Sequence, residues 1–550
     1  MSRKNANVSP GDRKVGGRQA ARHGAFLTRH GAFLTRQGAF LTRHGAFLTR
    51  DGEKAANSRA LTRRPGPVYD VAHLAKEPRR SRTGSFPSRS VMHAEGVPSA
   101  GEPRAAVSRA WEREGTLYLM GVDGLTLDII GPMVAQGELP HLARLAREGC
   151  WGPLRTARPT NSSSLWTSIA TGRRPRDHGI DGFQYFRLLG MTLSRTSLRR
   201  MRKFGLKYLR EALKRLRLLT AHNFDARHVR VPRFWEIVSE AGGRVGVVNW
   251  WHTWPVEPVN GFIVSSRLVH WRSVAAVHRA LREERLTYPE ELLEEVRELL
   301  VVPDQLTEDD VRPFVNLPED ELRQLVRSPF RHHDPRAELR FLISADRSCW
   351  RVLEYCLGAF ADLELVAAYF RAPDIASHCA FQYVPWVQVP GVDEEDRRRY
   401  AGLVPQVYRR VDEMVGEVLA RMRPEDTLLV CSDHGFAYDA RLGDCGHRRG
   451  TPPGVLYACG REFQRGRRIE SASIHDVAPT VLRLCGLPAA RDWAGRCLEE
   501  LLSEEFRRAH PPLEPIKTYG PRRPRHDMPK GAPETEKDIE DHLRALGYLD

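Results

Sequence analysis

Residues 426–435 read DTLLVCSDHG. Leu428 to Cys431 form an unbroken apolar run that stops at Ser432, Asp433 and His434. A run without polar alternation predicts a strand buried on both faces, as in a parallel sheet. Such sheets receive ligands in the crevice beyond the carboxyl ends of their strands. An acid and an imidazole at that end are therefore candidate ligands rather than surface decoration.

The same pattern recurs along the chain. TLYLMGVD ends in Asp123, and LVAAYFRAPDIASH leads to Asp374 and His378. His447 stands shortly before GVLYACG, and Ser162 lies in RPTNSSSLWTSIATG. Between these runs lie stretches of helical period. GELPHLARLAREG has Leu139, Leu142 and Leu145 at helical spacing, and YRRVDEMVGEVLARM reads as a further helix. SLWTSIATGRRPRDHGI begins a helix at a polar elbow and is stopped by Gly172 and Pro175. FWEIVSEAGGRVGVVNWW is a helix, a turn and another buried strand. Strands alternating with helices predict an α/β fold: a doubly wound, mostly parallel sheet with helices on both faces.

The expected organisation has three parts. Residues 1–110 form a basic, disordered arm, residues 111–510 the catalytic domain, and residues 511–550 a loose tail ending in a short helix, IEDHLRALGYL. A mainly helical cap insertion is expected over about 184–345. It contains the basic stretch SLRRMRKFGLKYLREALKRLRLL, in which Leu198, Met201, Phe204, Tyr208 and Leu209 form an apolar stripe expected to pack on the core. The other reading of that stretch is a surface for an acidic substrate or anionic lipid headgroups.

Charge is unevenly placed. Of the formal net charge of +16, residues 1–110 carry +14 (21 Lys/Arg against 7 Asp/Glu), which leaves +2 for the remaining 440 residues. A nearly neutral folded part argues against a nucleic-acid enzyme, and no specific nucleic-acid partner is expected. The arm repeats HGAFLTR three times, with a fourth copy carrying Gln37 in place of His. A glycine in every copy (Gly24, Gly31, Gly38, Gly45) argues against a helix. Residues 1–91 read as an extension, with Met92 as an alternative initiator.

Nine cysteines, none in a C-x-x-C pair, suggest reduced thiols and a cytoplasmic setting. No run reaches the roughly eighteen apolar residues of a membrane span. The N-terminus lacks the apolar segment of a signal peptide. Oligomeric state is not legible in the chain.

The residues that end the runs share a chemistry. Carboxylates and imidazoles suit Zn²⁺, with Mn²⁺ or Fe as alternatives. Two such ions can polarise a phosphoryl oxygen and lower the pKa of a hydroxyl. Ser162 at a helix start would face an incoming anion with backbone N–H groups and the positive end of the dipole. Taken singly, each element has a plain structural explanation. DHG could be a turn, Asp374 and His378 a helix-surface pair, and Asp123 an N-cap. Their shared order and strand-end placement give the pattern its weight.

GVDG, PTNSSSLWTSIATGRRPRDHGI, APDIASH, SDHGF, GHRRGTPPGVLYACG and HDVAPTVLRLCGLP together resemble the type I phosphodiesterase/nucleotide pyrophosphatase family of the alkaline phosphatase superfamily. The resemblance covers about residues 115–186, 230–270 and 363–500. It implies an alkaline-phosphatase-like fold and two divalent metal ions. By resemblance, Asp123, Ser162, Asp433 and His434 bind one metal, and Asp374, His378 and His447 the other. Ser162, ten residues before Gly172, takes the position of the nucleophile that forms a phospho-enzyme. The implied function is hydrolysis of small phosphodiesters or related phospho-esters. The Asn that follows HGI in nucleotide pyrophosphatases is replaced here by Asp181, Gly182 and Phe183, which weakens the expectation of a nucleotide substrate. Alternatives are a sulfatase, a phosphomutase-type member of the superfamily, or a non-catalytic binding protein. SFPSR, at Ser85 to Arg89, matches the sulfatase motif but lies upstream of Asp123, where a sulfatase does not have it.

Overall fold

The computed structural model describes residues 107–193, 207–268, 274–328, 335–441, 443–447, 451–522 and 529–545. The HGAFLTR repeats, Met92 and SFPSR lie outside the described residues, as do Leu198, Met201 and Phe204 of the basic stretch.

In chain order the strands begin with β1 (Leu117–Val122), β2 (Cys150–Arg155), β3 (Gln184–Leu188), β4 (Met191–Leu193) and β5 (Leu219–Asn223). They continue with β6 (Val245–Val248), β7 (Gly261–Val264), β8 (Thr287–Tyr288), β9 (Leu365–Phe370) and β10 (Thr427–Cys431). The last are β11 (Ala437–Asp439), β12 (Asp444–Gly446), β13 (Gly454–Cys459), β14 (Arg467–Arg468) and β15 (Ala472–Ser473). The helices that matter to the site are α1 (Ser162–Thr171), α2 (Lys207–Arg215), α3 (Pro335–Ala359), α4 (Ala372–Ala380), α5 (Leu403–Arg421), α6 (Val477–Leu484) and α7 (Pro533–Ala545).

Ten strands form the main sheet in the order β14-β2-β13-β10-β1-β9-β6-β7-β8, with β15 beside β2. The centre, from β10 to β7, is parallel throughout. Strands β13 and β8 run antiparallel to the neighbours they border. Successive side chains on a strand point to opposite faces. Met120, Ala368 and Val430 therefore enter one apolar core, which includes residues of α3 and α5. Leu119, Ala367 and Leu429 enter the other, which includes residues of α1 and α6. This two-sided burial is why these strands read as unbroken apolar runs.

Gly121 lies at the centre of the sheet, and a Cβ there would meet the Trp166 ring of α1 at 2.5 Å. Gly121→Ala is expected to destabilise the fold by about 1–3 kcal/mol through overpacking. Chemical denaturation measures this, and an unchanged midpoint would show that α1 moves aside freely.

The 184–345 interval differs in part from the expected helical cap. Its first part is a three-stranded antiparallel sheet, β4-β3-β5. Strands β6, β7 and β8 in its middle belong to the main sheet, and short helices follow. The stripe does not pack on the core where it is described: Tyr208 is 86% exposed and Leu209 46%. Helix α2 ends at Arg215 and the chain turns into β5, which pairs with β3 through Leu188↔Leu219. The end of α2 is closed by its own backbone bonds, Leu216 N–H to the Ala212 carbonyl and Leu218 N–H to the Leu213 carbonyl, so this turn holds its shape without burying Tyr208 and Leu209.

The tail also departs from a loose linker. Arg522 is buried and pairs with Glu236 at 3.0 Å and Glu257 at 2.8 Å. Helix α7 starts at Pro533, and its Asp538 pairs with Arg279 at 2.7 Å. Buried carboxylates need a cationic partner, and the tail supplies one. Among the described residues no disulfide joins the nine cysteines. Among the described residues no helix is long and apolar enough to cross a membrane.

Candidate metal and nucleophile site

The register of the central strands assembles the site. Gly121 pairs with Cys431, so two residues further on Asp123 and Asp433 leave adjacent strands at the same level. Strand β9 pairs with β1 through Val122↔Phe370, and its chain continues into α4, whose first turn carries Asp374. Gly124 has φ +77°, and a Cβ there would lie 2.8 Å from the Asp374 Cα. Glycine permits both the left-handed turn and the close approach. Asp374 and His378 are one helical turn apart and share a face. His447 arrives by another route. The hairpin of β11 and β12 pairs Ala437 with Gly446 and so returns the chain to the SDHG loop.

Six of the seven expected residues converge on one cluster. The His434 Nε2 lies 3.4 Å from Asp123 Oδ1, 3.5 Å from Asp433 Oδ2 and 4.0 Å from Asp374 Oδ1. The Asp374 Oδ1 lies 3.5 Å from His378 Nε2 and 3.7 Å from His447 Nε2. Two groups have ligand atoms close enough to hold a metal ion: Asp374 with His378 and His447, and Asp123 with Asp374 and His434. Asp374 belongs to both.

Hydrogen bonding shows what this cluster lacks. The His434 Nδ1 donates to the Gly435 carbonyl at 3.1 Å, which leaves Nε2 as a lone-pair acceptor facing carboxylate oxygens. That nitrogen, Asp123 Oδ1 and both Asp433 oxygens are buried without a hydrogen-bond partner among the described residues. Acceptors packed against acceptors are costly to bury, and a cation among them removes the conflict. Burial first, then the Asp374 charge, pushes Asp123 up to about 6. Burial, with Asp123 second, holds Asp433 well above the ordinary carboxylate range. Burial pulls His434 down to about 3, so its ring is neutral, as a ligand must be. The donor set of carboxylate oxygens and imidazole nitrogens fits a divalent cation.

Ser162 is the first residue of α1, with Asn161 as N-cap accepting from Ser164 N. One turn later on the same helix, Trp166 Nε1 donates to Asp123 Oδ2 at 3.0 Å, which ties the Ser162 face of α1 to the acid cluster. The neighbouring hydroxyls are committed elsewhere. Ser163 Oγ donates to the Gly182 carbonyl at 2.7 Å and contacts His252 Nε2 at 2.9 Å. Ser164 Oγ donates to the Ile180 carbonyl at 2.9 Å. Ser162 Oγ is buried with no hydrogen-bond partner among the described residues.

Sequence reasoning passed over several supporting residues. The Tyr369 hydroxyl donates to Asp123 Oδ2 at 2.6 Å, yet Tyr369 sits inside an apolar run and reads as core. His178 of the DHGI stretch accepts from Ile180 N at 3.1 Å, so its Nε2–H faces Ser168 of α1 at 3.0 Å. His252 has no sequence signal beyond its place after a strand. A cavity of ≈ 100 Å³ is lined by Phe183, Trp251, His252, Tyr369, Arg371 and others, including Leu543 of α7, and is joined to the cluster through Tyr369, which donates to Asp123.

Burial holds His178 and His252 at about 3, well below an ordinary imidazole. Both are neutral in the folded state, so the unfolded state binds more protons between about 3 and 6.5. Stability is therefore full above 6.5 and is lost as pH falls toward 3. Denaturation midpoints across this range are expected to fall with acid, and His178→Gln is expected to flatten the slope. An unaltered slope in that variant would show that His178 is not the proton acceptor.

The fold gathers acids and imidazoles at the carboxyl ends of parallel strands. The chain belongs to the type I phosphodiesterase / nucleotide pyrophosphatase family, whose model matches residues 117–439, more than half of its length. Membership of that family supports a hydrolase, and the described residues include acid and imidazole groups that could hold a metal ion. A comparison with curated proteins finds no match. Among solved structures, the chain is similar to the phosphonate monoester hydrolase from Silicibacter pomeroyi (13% identity, 72% of this chain and 78% of that chain, TM-score 0.39). It is also similar to murine ectonucleotide pyrophosphatase / phosphodiesterase 5 (12% identity, 70% and 100%, TM-score 0.37). A third is a sulfatase from Pseudoalteromonas sp. (14% identity, 68% and 68%, TM-score 0.36).

Proposed function

We propose that this protein hydrolyses phosphodiesters or related phospho-esters through a covalent phospho-enzyme on Ser162. The observation that carries the reading is the buried, unpartnered Ser162 hydroxyl on the face of α1 that is bound to Asp123. Asp123, Asp433 and His434 would hold one divalent cation with Ser162 beside it, and Asp374, His378 and His447 a second, Zn²⁺ being the metal this donor set suits best. When bound, such ions supply positive charge for the phosphoryl oxygens and lower the pKa of a nearby hydroxyl.

The chain's own groups do the rest. Asn161 caps α1 and directs its positive end at the incoming anion. Trp166 and Tyr369 fix Asp123 by donating to one of its oxygens, which leaves the other for a cation. Ser163 and Ser164, tied to backbone carbonyls, hold the helix start in place without competing as nucleophiles. Ser162 Oγ, having lost its proton, forms the bond to phosphorus while the ester's alcohol departs as alkoxide and takes up a proton. Water then attacks the phosphorus of this adduct, which still carries the second ester group; the Oγ–P bond breaks, the phosphomonoester leaves, and Ser162 Oγ takes up a proton. The cavity beside Trp251 and Arg371 would receive the organic part of the ester.

Purified full-length protein tests this. Metal content and hydrolysis of bis-p-nitrophenyl phosphate are measured before and after chelation and metal return, alongside phosphomonoesters, phosphonates and sulfate esters. Metal-dependent turnover of the diester is expected. Turnover of sulfate esters alone, or full metal occupancy with no turnover of any ester, would overturn the reading.

A further inference from the structure

The large apolar side chains exposed among the described residues are Leu189, Met191, Tyr208, Leu209, Leu216 and Leu218. All six fall between residues 187 and 219, on the β3–β4 turn, on α2 and on the approach to β5. Leu189 and Leu216 are each 67% exposed and Met191 is 65% exposed, values of side chains that project from the molecule. The Leu189 N–H donates to the Leu218 carbonyl at 2.9 Å, which brings the turn and the α2 end together as one surface. Scattered exposed leucines need no explanation, but a set confined to one element marks an interaction site.

The described part of the same segment is basic. Residues 187–193 and 207–219 contain six Lys/Arg and one acid, Glu211, a net of +5. Residues 111–550 sum to +2, so the rest of that region sums to −3. Arg187, Lys214, Arg215 and Arg217 are exposed beside the apolar side chains. A cationic surface studded with leucine, methionine and tyrosine tips suits one kind of partner. Anionic headgroups take the charge while the apolar tips enter the acyl boundary. A nucleic acid would use the charge and leave the apolar tips in water.

We propose that the β3–β4 turn and α2 form a docking surface for an anionic lipid bilayer. The inference stands on exposure and charge, independently of the hydrolase reading. It has a geometric consequence for the site. Phe183 immediately precedes β3, and Asn223 closes β5; both line the cavity joined to the acid cluster through Tyr369. The docked element is thus continuous with a wall of that cavity.

The test is flotation of the full-length protein with vesicles of phosphatidylcholine alone or with added phosphatidylserine, at low and high salt. Three proteins are compared: the wild type, Leu189→Asp/Leu216→Asp, and Arg215→Glu/Arg217→Glu. Circular dichroism and thermal melts check that the exposed substitutions leave the fold intact. The basic N-terminal arm is present in all three, so any binding it causes appears as a shared background. The wild type is expected to float with phosphatidylserine vesicles in low salt, and each double variant at least tenfold more weakly. Equal flotation of wild type and variants would overturn the proposal, as would equal binding to neutral vesicles. A change from oligomer to monomer in the leucine variant, without loss of flotation, would assign the surface to self-association and overturn it as well.

Discussion

Ser162→Ala is expected to lower turnover of bis-p-nitrophenyl phosphate by at least about 10³-fold, with the metal content and melting profile nearly unchanged. The side chain removed makes no hydrogen bond among the described residues, so its loss leaves no buried partner unsatisfied. The fold therefore has little reason to notice, and the chemistry every reason. The control is Ser163→Ala, which removes the donor to the Gly182 carbonyl and should disturb positioning more than the chemical step. Incubation with substrate and mass spectrometry of the Ser162 peptide reads the covalent adduct directly, as a phosphoryl group that keeps one p-nitrophenyl ester. If Ser162→Ala keeps the wild-type rate and Ser163→Ala does not, the nucleophile is the other hydroxyl.

Asp374→Asn carries the second large effect. Asp374 belongs to both groups of candidate ligands, so one change weakens two sites at once. The amide keeps the shape of the carboxylate but loses its charge, which an ion held by oxygen and nitrogen donors needs. Turnover is expected to fall by at least about 10³-fold, and metal bound per chain, read by elemental analysis after dialysis, to fall with it. The variant should melt cooperatively, since the substitution relieves repulsion between buried acids that burial and mutual charge already push toward protonation. Undiminished metal content together with wild-type turnover would remove Asp374 from the site.

Much of this arrangement was legible in the chain. The runs ending in Asp123 and in Asp433–His434 are strands buried on both faces, and a strand of that kind carries its polar residues at its ends. The Asp374–His378 spacing likewise put both on one face of a helix. His447 was harder, because a two-stranded hairpin rather than the following strand brings it back. Tyr369 was hidden by its own environment: a tyrosine inside an apolar run reads as core until its hydroxyl is seen to meet an acid. The exposure of Tyr208 and Leu209 was not legible, because helical periodicity reports that one face is apolar and says nothing of what covers it.

By itself the sequence determined the type of fold, the family, and which acids, imidazoles and hydroxyls stand at strand and helix ends, because these depend on local pattern and order along the chain. Only the tertiary structure decided that Asp374 is shared between two groups, that Ser163 and Ser164 are committed while Ser162 is not, that the tail helix reaches the cavity, and that Leu189, Leu209, Leu216 and Leu218 face outward. Those facts depend on distances between segments far apart in the chain. No periodicity encodes such distances, since they arise when strand register and packing bring the segments together.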